Sequence, residues 1–217
     1  MSVLSKFRHD EETISLSRPR HPLVSIIGVS CLVSLTAFTT YLLVFRASHW
    51  TVVVYLGSLC VLFSASTVYH WVRHNEWLRK IDHMAIFLVI TMTMLPYWGY
   101  IMPWQNYSVG LLILGTITIV GVAIKSINCL GDYVSAGVYV LAGLPVAVDA
   151  DALWSNLIWP WNFVFFFGVF LYLVQLVIHA TESCEIKPAL FGYRELQHCI
   201  LLLAVALHIC TVVAVTT

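Results

Sequence analysis

Residues 159–180 read WPWNFVFFFGVFLYLVQLVIHA, twenty-two positions without one charged side chain. A helix crossing the hydrocarbon core of a bilayer needs about 20 predominantly apolar residues, and this stretch has that length. Around it, the 217-residue chain is 60% hydrophobic and only 10% charged, with a mean hydropathy of +0.87. Soluble domains carry about 25% charged residues, so the deficit excludes a water-soluble globule, a disordered chain and a coiled coil. Eleven basic and eleven acidic residues cancel and form no basic stripe, which excludes a nucleic-acid-binding protein. The connections are too short to hold an extramembrane catalytic module. Any chemistry must sit within or just beneath the bilayer.

Working outward, apolar segments fall at 22–45, 51–72, 83–102, 108–125, 133–148, 159–180 and 196–215. The expected fold is all-α and integral to the membrane: a seven-transmembrane-helix bundle. Basic residues gather on the cytoplasmic side of membrane proteins. With the N-terminus cytoplasmic and the C-terminus outside, Lys6, Arg8, Arg18, Arg20, Arg73, Arg79, Lys80, Lys125, Lys187 and Arg194 lie inside, and only Arg46 lies outside. Changing the helix count by one would destroy that separation. Trp50, Trp98, Trp104, Trp154, Trp159 and Trp161, with Tyr97, Tyr100 and Tyr107, map to outer helix ends, where amphipathic rings anchor at headgroup level. Residues 1–20 form a polar cytoplasmic tail lacking the apolar core of a signal peptide, and 21–217 form one membrane domain. The six cysteines contain no C-x-x-C pair and imply no disulfide framework. A bacterial cytoplasmic membrane is the expected location and membrane lipids are the expected partners; the sequence names no protein partner.

Other seven-helix classes fail on specific residues. The last segment has no lysine for a retinal Schiff base, and the charge bias opposes the outside N-terminus of a rhodopsin-like receptor. Asp132 lies at an inner loop without the deep aspartate partner that an intramembrane aspartyl protease requires. No buried G-x-S motif suggests a rhomboid-type protease, and no helix shows the polar stripe of a pore.

Ionisable groups within membrane spans are costly and are functional candidates by default. Ser66 and His70 share a face at the inner end of the second segment. Asp82 and His83 open the third, and Arg194 and His198 share a face at the start of the seventh. His208 lies ten residues beyond His198, about 15 Å deeper at 1.5 Å per residue. Imidazoles, a carboxylate and a hydroxyl meeting at one depth suit a zinc ion with a bound water, a carboxylate base and an oxyanion donor.

These residues carry a family likeness. S-x-x-x-H at Ser66 and His70, R-x-x-D-H at Arg79, Asp82 and His83, and the run Phe191-Gly192-Tyr193-Arg194-Glu195-Leu196-Gln197-His198 resemble hemolysin III proteins. That family is grouped with the adiponectin and progestin receptors and, more distantly, the alkaline ceramidases. The likeness covers roughly residues 18–215. It implies a seven-helix bundle holding zinc near the inner face, with His70 and His198 as metal ligands and Ser66 and Asp82 as the catalytic hydroxyl and carboxylate. The implied activity is hydrolysis of a lipid amide or ester at the inner leaflet.

Two departures stand out. Arg194 replaces the first histidine of the last pair, and arginine has no lone pair for a metal. Met92-Thr93-Met94-Leu95-Pro96 stands where the family tends to have G-T-Y-T-P. Either zinc persists with Asp82 or water as a substitute ligand, or Arg194 pairs with Asp82 in a metal-free site of a non-catalytic, receptor-like or cytolytic protein. Simpler roles remain for each residue taken alone. His70 would be an interfacial histidine, Asp82 a helix cap, Ser66 a donor to the carbonyl one turn back and His208 a hydrogen-bonded core histidine. His74 and His83 would face headgroups or water.

Overall fold

In hydrocarbon the backbone must satisfy its own N–H and C=O groups, so an apolar stretch of sufficient length becomes a helix. The computed structural model describes residues 22–45, 49–72, 75–101, 104–127, 132–181 and 192–216. Its helices are α1 (Pro22–Phe45), α2 (Trp50–Trp71), α3 (Glu76–Ile101), α4 (Trp104–Ile127), α5 (Asp132–Ala142), α6 (Leu144–Val148), α7 (Ala150–Asn156), α8 (Trp161–Thr181) and α9 (Tyr193–Thr216). Six of them, α1 to α4, α8 and α9, are long and apolar enough to cross a membrane. The chain is an integral, multi-pass membrane protein. The tail Met1–Arg20, Arg46, Arg73, His74, Cys129, Cys184, Lys187, Phe191 and the side chains of Trp104, Tyr107 and Asp132 lie outside the described residues.

The expected fifth segment, 133–148, divides into α5 and α6 at Gly143. Pro145 sits in the first turn of α6 and has no N–H for the carbonyl of Leu141, so the helical ladder breaks there. The third segment also differs from expectation, because α3 begins at Glu76, seven residues before 83. Asn75 performs the capping, its Oδ1 accepting from the backbone N–H groups of Trp77 (2.9 Å) and Leu78 (3.2 Å). Asp82 is therefore an interior helical residue and not a cap.

Helix α3 is the most buried of the six long helices and packs against α2, α4, α5, α7 and α9. Its contact with α4 is a pair of rings set into glycines. Trp98 lies over Gly110 and Phe87 lies over Gly121. In each helix the two positions are eleven residues apart, three turns, so they share a face. Between them Thr118 Oγ1 donates to Thr91 Oγ1 at 2.7 Å. The residue numbers in each pairing sum to nearly the same value, the register of antiparallel neighbours. Small residues that admit close approach are how helices associate when lipid removes the hydrophobic drive.

Two expected interface anchors belong to the core. Tyr97 is fully buried, and Trp98 is buried with its Nε1 donating to Asp149 Oδ2 at 2.8 Å. Trp50, Tyr100, Trp154 and Trp159 are exposed, as headgroup-level rings would be. Cys31, Cys60, Cys199 and Cys210 are free thiols.

Candidate functional site at the α2, α3 and α9 termini

Helix α2 ends where α3 and α9 begin, and these ends converge. Ser66, His70 and Asp82 are buried there. His198, one turn into α9, meets them: its Nε2 lies 3.3 Å from Ser66 Oγ, and its ring stands edge-on to His70 with centroids 4.9 Å apart. Asp82 is buried and lines the same cavity as Ser66. The expectation that Ser66 merely bonds a carbonyl one turn back is replaced by a side-chain partner, His198. The structure therefore brings Ser66, His70 and His198 together, with Asp82 on the wall of the same cavity.

The orientation of His198 follows from one bond. Its Nδ1 is 2.7 Å from the main-chain oxygen of Arg194. A carbonyl only accepts, so Nδ1 carries the proton and Nε2 presents its lone pair toward Ser66. Position 194 thus has two separate effects. Its backbone fixes the tautomer of His198, while its side chain places a guanidinium, which has no lone pair for a metal, on the cavity wall. The guanidinium lies against its neighbour, with Nε donating to Tyr193 Oη at 2.9 Å and the group 5.5 Å from that ring's centroid.

Adjacent residues on a helix point about 100° apart, and α3 and α9 use this to build a second group beside the first. His83 follows Asp82 and faces His179 of α8, with ring centroids 5.6 Å apart. Gln197 precedes His198 and its Nε2 donates to His179 Nδ1 at 3.3 Å. Tyr139 of α5 donates to the main-chain oxygen of His83 at 3.2 Å, and Lys125, buried at the end of α4, donates to Ser135. His83 is only 7% exposed and lines the cavity described below, so the expected contact with headgroups is replaced by packing against His179. From the sequence His179 could reach this inner zone, but nothing specific joined it to His83 or Gln197, because shared depth does not reveal which face each residue presents.

Both groups line one cavity of about 570 Å³. Away from the polar end its wall is apolar, including Leu62, Val89, Phe165, Val169 and Leu201, and it reaches His208. His208 is the hydrogen-bonded core histidine expected: Tyr97 Oη lies 3.3 Å from its Nδ1 and donates to its main-chain oxygen at 3.2 Å.

The donor set can be tested against zinc. Catalytic zinc takes three protein ligands and a water. Among the described residues no group of three or more His, Cys, Asp or Glu side chains is placed to hold a metal ion. His70 and His198 are the two imidazoles that meet at this end of the cavity, and Arg194, one turn before His198, offers no lone pair to a metal.

One comparison with known proteins bears on these features. The family described as haemolysin-III related matches residues 13–209, a range that contains every residue of both polar groups and the whole cavity wall. This polytopic chain, with its hydroxyl–imidazole–carboxyl cluster at the meeting of α2, α3 and α9, belongs to the haemolysin-III-related family.

Proposed function

We propose that this protein hydrolyses an amide or ester bond of a membrane lipid drawn from the cytoplasmic leaflet. In this reading α5 and α6 together complete a seventh crossing, with the N-terminus inside and the C-terminus outside. One observation carries the proposal: a cavity apolar over most of its wall ends on Ser66, Asp82, His70 and His198. Moving an acyl chain from bilayer to cavity exchanges one apolar surrounding for another, so the chain itself adds little affinity. Selection then falls to the polar end, where a carbonyl, hydroxyl or amide of the lipid meets hydrogen-bonding side chains.

Zinc is the cofactor that the family likeness implies, and His70 and His198 are the imidazoles that would bind it. The missing third imidazole favours a second reading, a non-catalytic receptor-like or cytolytic protein with a metal-free site. Purified protein in lipid nanodiscs, incubated with a panel of N-acyl amides and acyl esters and assayed for zinc in the same preparation, separates the two. Release of fatty acid supports the hydrolase; a folded protein inert toward the whole panel supports the second reading.

A further inference from the structure

Resting on the hydrolase reading, which seats a lipid carbonyl at the polar end, we infer a second polar subsite at the far end of the cavity. It is centred on His208 and takes a hydroxyl carried on the acyl chain about twelve carbons from that carbonyl. The polarity of the subsite follows from its hydrogen bonds. Tyr97 has one phenolic proton and gives it to the main-chain oxygen of His208. In the 3.3 Å contact between Tyr97 Oη and His208 Nδ1 the imidazole is therefore the donor. Nε2 is left with a lone pair and can only accept. It is buried and has no hydrogen-bond partner among the described residues. An unmet polar atom in hydrocarbon is costly, and what answers a lone pair is a donor.

The packing leaves that lone pair to a ligand. Two residues of the cavity wall hold the ring, Tyr172 stacked on its face with centroids 5.2 Å apart and Phe165 edge-on at 5.0 Å. Tyr97 covers the Nδ1 edge and is not part of the wall, so His208 meets the cavity with the rest of its ring. Beside Nε2 stands Gly168, where a Cβ would come within 2.9 Å; glycine leaves the nitrogen uncovered by a side chain. Between the two polar ends the wall is mainly apolar, and Thr93 gives its proton to the Val89 carbonyl. Ten residues of α9 separate His198 from His208, about 15 Å. Single bonds of about 1.5 Å at tetrahedral angles advance an extended chain about 1.25 Å per carbon, so about twelve carbons span the gap.

Binding tests the subsite without requiring turnover. The full chain in nanodiscs is titrated with dodecanoic acid, 12-hydroxydodecanoic acid and 12-methoxydodecanoic acid, each displacing a fluorescent fatty acid, with partition into empty nanodiscs subtracted. The hydroxy acid should bind about threefold to tenfold tighter than the other two, the range of one net hydrogen bond. The methyl ether keeps the oxygen but has no proton to give. 6-Hydroxydodecanoic acid, with its hydroxyl against the apolar wall, should show no gain. In His208→Phe the preference should disappear while dodecanoic acid still binds. Equal affinity for the three acids in the unaltered protein overturns the subsite and means that water meets Nε2. A methyl ether as tight as the alcohol overturns the acceptor assignment, and a preference that survives in a folded His208→Phe protein overturns the role of His208. None of these results touches the hydrolase reading. A hydroxyl preference in a protein inert toward amides and esters supports the subsite and overturns hydrolysis alone.

Discussion

Replacing Gly121 with alanine tests the packing that sets α3 in place and, with it, Asp82 and His83. An added Cβ would stand 2.5 Å from Phe87 Cδ1, 2.7 Å from Cε1 and 2.9 Å from Cγ. Carbon atoms are comfortable at roughly 3.5–4.0 Å, so ring and helix must separate by about 1 Å. The ring cannot swing away easily. Phe87 is buried against the Tyr139 ring, with centroids 4.6 Å apart, and Tyr139 is tied to the His83 carbonyl. Overpacking of this kind costs about 1–3 kcal/mol, while alanine's better helix propensity returns up to about 1 kcal/mol. The expected net loss is about 1–2 kcal/mol, read as a lowered unfolding transition in detergent. Gly57→Ala and Gly115→Ala are the references, since a Cβ at either meets nothing within 4 Å. Adding Phe87→Leu should recover about 1 kcal/mol of the loss, a coupling well above the scatter of about 0.3–0.5 kcal/mol between independent sites. A Gly121→Ala protein as stable as Gly57→Ala, with no coupling to Phe87, would refute the ring-into-glycine account.

Other expectations concern single contacts and the topology. Trp98→Phe removes the indole N–H from Asp149 and should cost about 1.5–3 kcal/mol, the range for hydrogen bonds to charged groups; Asp149→Ala added to it should cost much less than it does alone. The Arg79–Glu76 pair, 2.7 Å but exposed on both sides, should contribute under about 0.5 kcal/mol, so Glu76→Gln should leave the unfolding transition almost unmoved. Arg194→His supplies the third imidazole and should raise zinc measured by mass spectrometry toward one per chain, from well below that in the unaltered protein; equal content in the two would refute the ligand-count argument. Reporters fused to the two ends should report opposite sides of the membrane. The same side for both would mean that α5 and α6 do not cross.

Composition and segment length made the membrane fold legible, because bilayer thickness imposes a length on each apolar stretch. The break at Gly143 was harder to read. Apolar content continues through Leu144–Val148, and only Pro145 marks the interrupted ladder. The start of α3 was misplaced for the opposite reason. Its first turns carry the charged residues Glu76, Arg79, Lys80 and Asp82, so hydropathy stops where the helix does not. Ser66, His70, Asp82 and His198 were legible because motif and depth both pointed to them. His83 and His179 shared that depth, but their meeting depends on how α3, α8 and α9 are rotated about their axes. Tyr97 and Trp98 failed for a related reason: a helix end near the headgroups has an inward face as well as an outward one.

How the site keeps its geometry whatever side chain stands at position 194 follows from which atom does the positioning. The bond that orients His198 comes from the main-chain oxygen of residue 194, and every amino acid supplies that oxygen. A substitution there leaves the imidazole aimed at Ser66 while changing only the chemistry beside it, here a fixed positive charge. The two functions separate by substitution. Arg194→Lys and Arg194→Gln keep the carbonyl, so the nitrogen NMR signature of a His198 ring protonated at Nδ1 should persist in either. If Arg194→Gln instead moves the proton to Nε2 while the protein stays folded, the guanidinium and not the carbonyl sets the tautomer.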